Sequence, residues 1–483
     1  MTDDWGSLIC VDESGLDREA HIIATFEIET KAGVTLEDVG QTIAFDSTIG
    51  TWSRTEGQTD EMVERYSGKL LLPLPVQNQQ SGQVRIAIPV QDIDPVLGGL
   101  PHLLAILGAP YTLKSIEHIR LINLDLPRFY TSHWRGPRFG IEGIAGQLGR
   151  TGQPIIAMML KPRIGLDSVS YAKLAYEAFL GGVDLVMDDE LMVSPEPSPL
   201  FERVEKVAEA ARRAEQETGQ IKWYGANITS SIRYLEKNAI RAQELGAKFL
   251  YANPFVMGLT ALELLTTSEN VKVPVLCCRS GYGMQTRGKD ALSFFVMLKL
   301  SRWMGADGVH IGSIGGSLPH ALIGDDSELR SRVTWLRTRL REIKQTYPIL
   351  SGGLHPGNIG WNITRFGKDV IIQAGSGVQA HPNGPRSGGK AMRQAVDVAL
   401  SETPIKDAAQ QCPEFKAALE KWGYLDGDGI HKWTDLTLDA GTADSKIVIN
   451  ASGGTVIMGN VDTGGGKFVG RDDMSKSNGQ KEK

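Results

Sequence analysis

Eight apolar stretches of strand length recur from residue 154 onward, separated by segments with helical periodicity. They cover residues 154–161, 183–189, 222–228, 248–254, 273–279, 307–312, 347–353 and 369–376. Continuous apolar runs are typical of parallel strands buried on both faces, and eight strand–helix units in about 250 residues predict a (β/α)8 TIM barrel. An open doubly wound sheet is the alternative. It usually has fewer strands and a glycine-rich loop after the first one, where this chain has KPRIGLD.

Two regions of different character flank the predicted barrel, which we assign to residues 145–425. Residues 1–144 contain the strand-like HIIATFEIET and QVRIAIPV and the helix-like VTLEDVGQTIAFD and DPVLGGLPHLLAIL, which predict an α+β, ferredoxin-like domain. Residues 426–483 are interpreted as a linker and a glycine-rich tail, in which GGTVIMGNVDT (453–463) precedes the similar GGGKFVGRDDM (464–474). These units predict a short β-repeat, with a tail without fixed structure as the alternative.

Composition excludes several classes of function. A formal net charge of -6 gives no electrostatic reason to expect a nucleic-acid or anionic-membrane partner. The N-terminal MTDDWGSLIC lacks the basic and apolar regions of a signal peptide, and no apolar run approaches the roughly 20 residues that span a bilayer. The four cysteines show neither a disulfide framework nor the spacing of a zinc site. We therefore expect a reduced, cytoplasmic protein.

Polar residues and glycines end nearly all of the eight predicted strands, at the barrel face where catalysis occurs in this fold. They are Lys161, Asp189 with Glu190, Asn227, Asn253, Arg279, His310, Ser351 with Gly352 and Gly353, and Gly375 with Ser376 and Gly377. Each alone more often has a structural role, but their coincidence predicts a site. Glycine-rich loops after the last two strands can direct backbone N–H groups at a phosphate. Arg279 and His310 can hold a second anionic group through charge-assisted hydrogen bonds.

The second predicted strand ends in an acidic motif, GGVDLVMDDE (181–190). Asp188, Asp189 and Glu190 offer the oxygen ligands that Mg²⁺ prefers. The residue immediately before them is Met187, whose thioether is a poor ligand for a hard cation. The motif therefore indicates a magnesium site that lacks an anionic ligand.

Several motifs, in order, resemble the large chain of ribulose-bisphosphate carboxylase (RuBisCO) over roughly residues 20–425. They are STIGTWS (47–53), RGPRFGIEG (135–143), MLKPRIGLD (159–167) and GGVDLVMDDE (181–190). In the family, a lysine stands at the position of Met187, and its carbamate binds magnesium together with the following Asp and Glu. Methionine forms no carbamate. The resemblance is therefore closest to the RuBisCO-like proteins of form IV, which do not carboxylate.

Other departures from the family agree with this interpretation. Ser317 stands near the position of the flexible-loop lysine, Cys278 replaces the histidine before Arg279, and Ala109 replaces an asparagine that touches the substrate. The substrate cradle matches better. The matching residues are Lys161, Arg163 (lysine in the family), Arg279, His310, Ser351, Gly353, Gly375 and Ser376 (glycine in the family). The resemblance thus implies that phosphate-binding groups are kept and carboxylation groups are lost.

The family also supplies part of each site from a partner subunit. The matching residues here are Asp46 (Glu in the family), Thr51 and Trp52. The resemblance therefore implies a head-to-tail homodimer with shared active sites, and it leaves assembly into higher oligomers open. Asp189 and Glu190 remain candidates for a weak or lost Mg²⁺ site. The alternative is a magnesium-free site in which these carboxylates neutralise Lys161.

Two functional hypotheses follow. The first is an enzyme that enolises, isomerises or decarboxylates a phosphorylated ketose or keto acid through an enediolate, with Lys161 and Asp189 as catalytic residues. The second is a non-catalytic sugar-phosphate-binding, scaffold or signalling protein, whose C-terminal repeat binds a protein partner. Solvent-proton exchange at the substrate α-carbon distinguishes the two.

Overall fold

The computed structural model describes residues 6–50, 55–75, 80–315, 326–426, 429–432, 447–451 and 454–458. The chain forms two compact units, Met1–His431 and Lys432–Lys483. None of the helices in the described ranges is long and apolar enough to cross a membrane.

The strands and helices of the described residues are numbered in chain order. The strands are β1 (Cys10–Asp12), β2 (His21–Thr30), β3 (Lys69–Leu72), β4 (Ser81–Pro89), β5 (Ile116–Asp125), β6 (Ile155–Met159), β7 (Leu185–Met187), β8 (Trp223–Asn227), β9 (Phe249–Ala252), β10 (Val275–Cys277), β11 (Ala291–Leu292), β12 (Gly308–Gly312), β13 (Tyr347–Ser351), β14 (Ile371–Ala374), β15 (Tyr424–Asp426), β16 (Gly429–His431), β17 (Ile447–Ala451) and β18 (Gly454–Met458). The α-helices are α1 (Gly6–Ile9), α2 (Leu36–Asp46), α3 (Asp60–Tyr66), α4 (Gly99–Gly108), α5 (Arg128–Thr131), α6 (Gly140–Leu148), α7 (Ser168–Leu180), α8 (Leu200–Thr218), α9 (Ile232–Glu244), α10 (Pro254–Met257), α11 (Leu259–Thr267), α12 (Tyr282–Thr286), α13 (Phe294–Trp303), α14 (Asp326–Arg337), α15 (Pro356–Phe366), α16 (Ser376–Gln379), α17 (Gly384–Ser401), α18 (Ile405–Gln411) and α19 (Pro413–Trp422).

Eight parallel strands close into a barrel in the order β6-β7-β8-β9-β10-β12-β13-β14, and β14 pairs back onto β6. Each of the eight apolar stretches identified in the sequence contains one of these strands, so the predicted TIM barrel is confirmed. The buried interior includes side chains of β6, β7, β8, β9 and β13, and α6 adds Ile141, Ile144 and Leu148 to the same cluster. The loop into α6 is held by the buried Asp307, whose Oδ1 accepts the N–H groups of Phe139 (2.7 Å) and Gly140 (2.8 Å).

The N-terminal region forms a mixed sheet in the order β1-β3-β4-β2-β5-β11, with α2 packed on its β3–β4 side. The prediction of an α+β domain is therefore confirmed. The sequence patterns located β2, β4, α2 and α4, but β11 carries no detectable signal because it has two residues. It belongs to the segment after β10 and pairs in parallel with β5, so the barrel chain completes the N-terminal sheet.

The described residues of the C-terminal region form two antiparallel hairpins. The hairpin of β15 and β16 lies in the first unit, and Leu425 on β15 is 8% exposed. In the second unit β17 pairs with β18. The first predicted glycine-rich unit (453–463) supplies β18, whereas its partner β17 lies upstream of both predicted units. The second predicted unit (464–474) lies outside the described residues.

A buried ion pair fixes the loop after β7. Asp188 and Arg203 are both fully buried, and the guanidinium donates to both carboxylate oxygens over 2.9 and 3.0 Å. The same carboxylate accepts the Tyr224 hydroxyl (2.7 Å) and the Asn227 N–H (2.9 Å). Asp188 is thus a structural residue that ties β7, β8 and α8 together.

We expect Arg203→Met to lower the free energy of unfolding by about 3–5 kcal/mol, because it leaves the Asp188 charge buried and uncompensated. Arg212→Met on the exposed face of the same helix is the matched control and should change stability by less than about 0.5 kcal/mol. Urea unfolding followed by circular dichroism measures both. Equal effects of the two substitutions would contradict this structural role of Asp188.

Candidate functional site

Lys161 and Asp189 form an ion pair where β6 and β7 end. The side chain of Asp189 is 3% exposed, and its Oδ1 lies 3.7 Å from Nε of Arg163. The same oxygen accepts the N–H of Leu191 over 2.9 Å. Asp189 is therefore held between two cations, and the structure brings together the predicted residues Lys161, Arg163 and Asp189.

The loops after β13 and β14 line a cavity of about 240 Å³, which we call the glycine lobe. Its walls include Lys161, Arg163, Glu190, Arg279, Ser351, Gly352, Gly353, Gly375, Ser376 and Gly377. Gly352 and Gly353 adopt φ values of +108° and +73°, which favour glycine. At Gly375 an added Cβ would lie 3.3 Å from Cγ of Lys161, so glycine here allows the lysine stem to approach. The predicted cradle residues of the last two strands thus share one cavity.

A second cavity of about 430 Å³, the arginine lobe, opens beside the loop after β10. Lys161, Arg163, Glu190 and Arg279 line both lobes, so they form the boundary between them. Arg287 adds a further cation to the arginine lobe. The site therefore has two neighbouring compartments with positive charge at their junction, which suits an elongated anionic ligand.

His310 has a different role from the predicted charge-assisted contact with an anion. Its side chain is fully buried, with Nε2 2.9 Å from the Tyr251 hydroxyl and Nδ1 2.8 Å from the Ser351 hydroxyl. Burial, reinforced by the nearby Arg279 charge, lowers the pKa of His310 to about 3. The ring is therefore neutral near pH 7 and acts on the glycine lobe only by orienting Ser351.

Glu190 is the acidic residue that faces both lobes. Its Oε2 is buried and has no hydrogen-bond partner among the described residues, while the Ser280 N–H donates to the carboxylate. Burial raises the pKa of Glu190, and the positive charge of Arg279 opposes that shift. Glu190 is thus a half-buried residue whose unpartnered carboxylate oxygen lies at the junction of the lobes.

The donors near the acidic motif fit a divalent cation poorly. Met187 is fully buried in the apolar cluster of the barrel interior, and both oxygens of Asp188 are engaged by Arg203, Tyr224 and the backbone. Asp189 is already paired with Lys161. Across the described ranges no group of three or more His, Cys, Asp or Glu side chains could hold a metal ion.

Of the three residues expected from a partner subunit, Asp46 is the one that lies among the described residues. Asp46 is exposed at the end of α2 and is not among the described residues that line either lobe. Thr51 and Trp52 lie outside the described residues, as does Ser317. Their contribution to a site stays a prediction.

Two aromatic residues that the sequence interpretation missed also line the glycine lobe. Trp422 from α19 and His355 have ring centroids 5.7 Å apart. His355 is the N-cap of α15, since its Nδ1 accepts the Gly357 N–H over 3.3 Å, and burial lowers its pKa to about 4. The segment HPGN, with proline at the first helical position, could have indicated this cap. Nothing local to Trp422 indicates its position.

Comparison with known proteins agrees with this architecture. Residues 10–130 match the family profile "Ribulose bisphosphate carboxylase large chain, N-terminal domain", and residues 140–422 match "Ribulose bisphosphate carboxylase large chain, catalytic domain". Among curated relatives, the ribulose bisphosphate carboxylase of Pyrococcus abyssi is 35% identical over 397 residues, which are 81% of this chain and 91% of that protein.

Solved structures of the same family are similar to this chain. The octameric ribulose-1,5-bisphosphate carboxylase/oxygenase of Pyrococcus horikoshii, in complex with sulfate, has a TM-score of 0.80 and 31% identity, covering 87% of this chain and 97% of that one. A rubisco-like protein from Alicyclobacillus acidocaldarius has a TM-score of 0.76 and 28% identity, covering 84% and 100%. The profile matches and the 35% identity over most of both chains show that the protein belongs to the ribulose bisphosphate carboxylase large-chain family.

Proposed function

We propose that this chain is a non-carboxylating, form IV member of the family. It binds a phosphorylated ketose or keto-acid-like substrate and enolises, isomerises or decarboxylates it through an enediolate. The observation that carries the proposal is Met187, which stands directly before the acidic motif and packs into the apolar barrel interior. Methionine can form no carbamate, so this position supplies neither a metal ligand nor a base. The relatives at 31–35% identity are named as carboxylases, and this substitution at the acidic motif is the main argument for separating the chain from them.

The two lobes support the proposed class of substrate. Backbone N–H groups of the glycine loops suit a phosphate in the glycine lobe, and the cations at the junction suit the adjoining oxygen atoms of a sugar or keto acid. Removal of a proton next to a carbonyl places negative charge on oxygen. Lys161, Arg163 and Arg279 would stabilise that charge electrostatically. Lys161 is the first candidate for moving the proton, and Asp189, its ion-pair partner, is the second.

Magnesium has no role in this proposal. Of the three acidic residues, Asp188 has a structural role, Asp189 is paired with Lys161, and only Glu190 retains an oxygen without a partner among the described residues. Proteins usually bind magnesium through one or two carboxylates, with water and substrate oxygens as the remaining ligands, and here Met187 adds no oxygen ligand to the single free oxygen of Glu190. The ammonium of Lys161 would instead balance the charge of the carboxylates.

A second candidate is a non-catalytic binder of sugar phosphates or a scaffold protein. The same ion pair favours it, because a lysine held as an ammonium by a carboxylate has no free amine to accept a proton from a substrate. In this case the glycine lobe would bind phosphate without turnover, and the C-terminal repeat would recruit a protein partner.

A homodimer with shared sites is part of either proposal. Large apolar side chains are exposed at the barrel mouth, on loops and on the short helices α10 and α12 that follow the barrel strands. They are Ile164 (58%), Leu191 (52%), Val256 (55%) and Met284 (78%). A second copy would cover them and could bring Asp46, Thr51 and Trp52 to the lobes. The octameric assembly of the Pyrococcus horikoshii relative supports association, including higher oligomers.

The purified protein should not fix carbon dioxide. Incubation with ribulose 1,5-bisphosphate and labelled bicarbonate is expected to yield no acid-stable label above an enzyme-free sample, while a carboxylase assayed in parallel does. Met187→Lys should not restore activity, because its amine would enter an apolar cluster and the loop lysine of the family is still missing. Incorporation of label by the unmodified protein would overturn the non-carboxylating assignment.

Arg279→Ala should lower the affinity for ribulose 1,5-bisphosphate by about tenfold or more, because it removes a charged partner at the junction of the lobes. The affinity for inorganic phosphate should fall by less than about threefold, because the backbone N–H groups of the glycine loops remain to bind it. Isothermal titration calorimetry measures both. The control is Arg339→Ala, whose exposed side chain pairs with Glu142 on α6. Equal losses for the two ligands would contradict a two-ended site.

Lys161→Met should abolish exchange of the substrate α-proton with deuterated solvent, because methionine keeps the stem but loses the titratable amine. Mass spectrometry of a phosphorylated ketose incubated in D₂O measures this exchange, and size-exclusion chromatography checks the assembly. Lys173→Met on the exposed surface of α7 is the control. Full exchange in the Lys161 variant would move the base to Asp189, and no exchange in the wild type would favour the binding protein.

A further inference from the structure

The side-chain amide of Gln379 is hydrogen bonded to both backbone polar groups of Lys161. The Lys161 N–H donates to Oε1 over 2.8 Å, and Nε2 donates to the Lys161 carbonyl over 2.6 Å. The last pairing of the barrel's first and last strands is Met158 with Ala374. One side chain therefore extends the connection between β6 and β14 beyond the end of the ladder, to the residue that carries the site's amine.

Gln379 also belongs to the turn that forms one wall of the glycine lobe. It is the last residue of α16, which begins at Ser376, and its N–H donates to the Gly375 carbonyl over 3.0 Å. Gly375 lies against the stem of Lys161, since an added Cβ would be 3.4 Å from its Cε. The segment from Gly375 to Gln379 thus contacts both the backbone and the side-chain stem of Lys161. Its residues Ser376 and Gly377 also line the glycine lobe.

The Lys161 ammonium depends on such support. Its side chain is 31% exposed, and the residues that follow it, through Gly165, are exposed. An ion pair that is partly exposed contributes little to fixing a long side chain. Two hydrogen bonds to the lysine backbone restrict the position of its Cα, and therefore which carboxylate the ammonium can reach.

We propose that Gln379 is a positioning residue that holds Lys161 against Asp189 and transmits occupancy of the glycine lobe to the lysine. An anion bound by the backbone N–H groups of the β14 loop would fix α16, and α16 would fix Lys161 through the amide of Gln379. The catalytic consequence rests on the proposed function, whereas the positional effect exists with or without turnover.

The test compares wild type and variants by the rate at which acetic anhydride modifies Lys161 at pH 8. The intact, ligand-free protein is labelled, and the modified peptide is then quantified by mass spectrometry. Gln379→Met removes both hydrogen bonds at nearly constant side-chain length, and we expect labelling of Lys161 to become about tenfold faster. Gln379→Glu keeps the acceptor for the Lys161 N–H, and its rate should lie between those of the wild type and the methionine variant.

Gln243→Met is the matched control, because the side-chain amide of Gln243 also donates one hydrogen bond to the backbone and accepts another from it. It donates to the Asn270 carbonyl and accepts the Lys272 N–H over 2.9 Å, and it is not among the described residues that line either lobe. Its substitution should leave Lys161 labelling within about twofold of the wild type. An unchanged rate in Gln379→Met, or an equal rise in Gln243→Met, would refute the positioning role.

Inorganic phosphate tests the coupling. At a saturating concentration it should slow Lys161 labelling in the wild type, but it should have less than about twofold effect in Gln379→Met, which still binds phosphate by calorimetry. Equal protection in both proteins would overturn the coupling. Failure of phosphate to bind the wild type would contradict the proposed glycine lobe as well as the coupling, while ligand-free labelling would still decide whether Gln379 positions the lysine.

Discussion

The pairing of the last barrel strand with the first is the constraint on which the rest of the structure depends. It joins Ile371 to Ile155 and Ala374 to Met158, so each barrel strand gains backbone partners on both sides and the parallel sheet has no open edge. Closure also places the loop after β14 beside the end of β6. The glycine lobe and Lys161 are therefore neighbours because the barrel closes.

The acidic residues of the motif have different environments, although they are consecutive in the sequence. Asp188 is fully buried and pairs with Arg203 of α8, whereas Asp189 pairs with Lys161 at the barrel mouth. Alternation of side chains along a strand explains this division, because neighbouring residues face opposite sides of the barrel wall. Met187 and Asp189 share the interior side, and the methionine extends the apolar core up to the edge of the site. The position directly before the acidic motif is thus occupied by apolar packing.

The charge states of the groups at the barrel mouth depend on how deeply each group is buried. His310 is neutral because burial, reinforced by the nearby Arg279 charge, lowers its pKa, and burial raises the pKa of Glu190. The positive charge is carried by groups that stay partly accessible, such as Arg163 and Lys161. A site built in this way attracts anions.

The sequence by itself determined the barrel, the α+β domain and the position of the strand-end residues, because apolar periodicity and strand length are local properties. It also identified Met187 as the departure from the family. Only the tertiary structure decided the partners of these residues. The Gln379 amide binds the Lys161 backbone across 218 positions of sequence. Closure of the barrel also buries His310 between Tyr251 and Ser351, and this burial lowers its pKa. Hydrogen bonds and burial between distant segments exist only once the barrel has closed, so no local pattern encodes them.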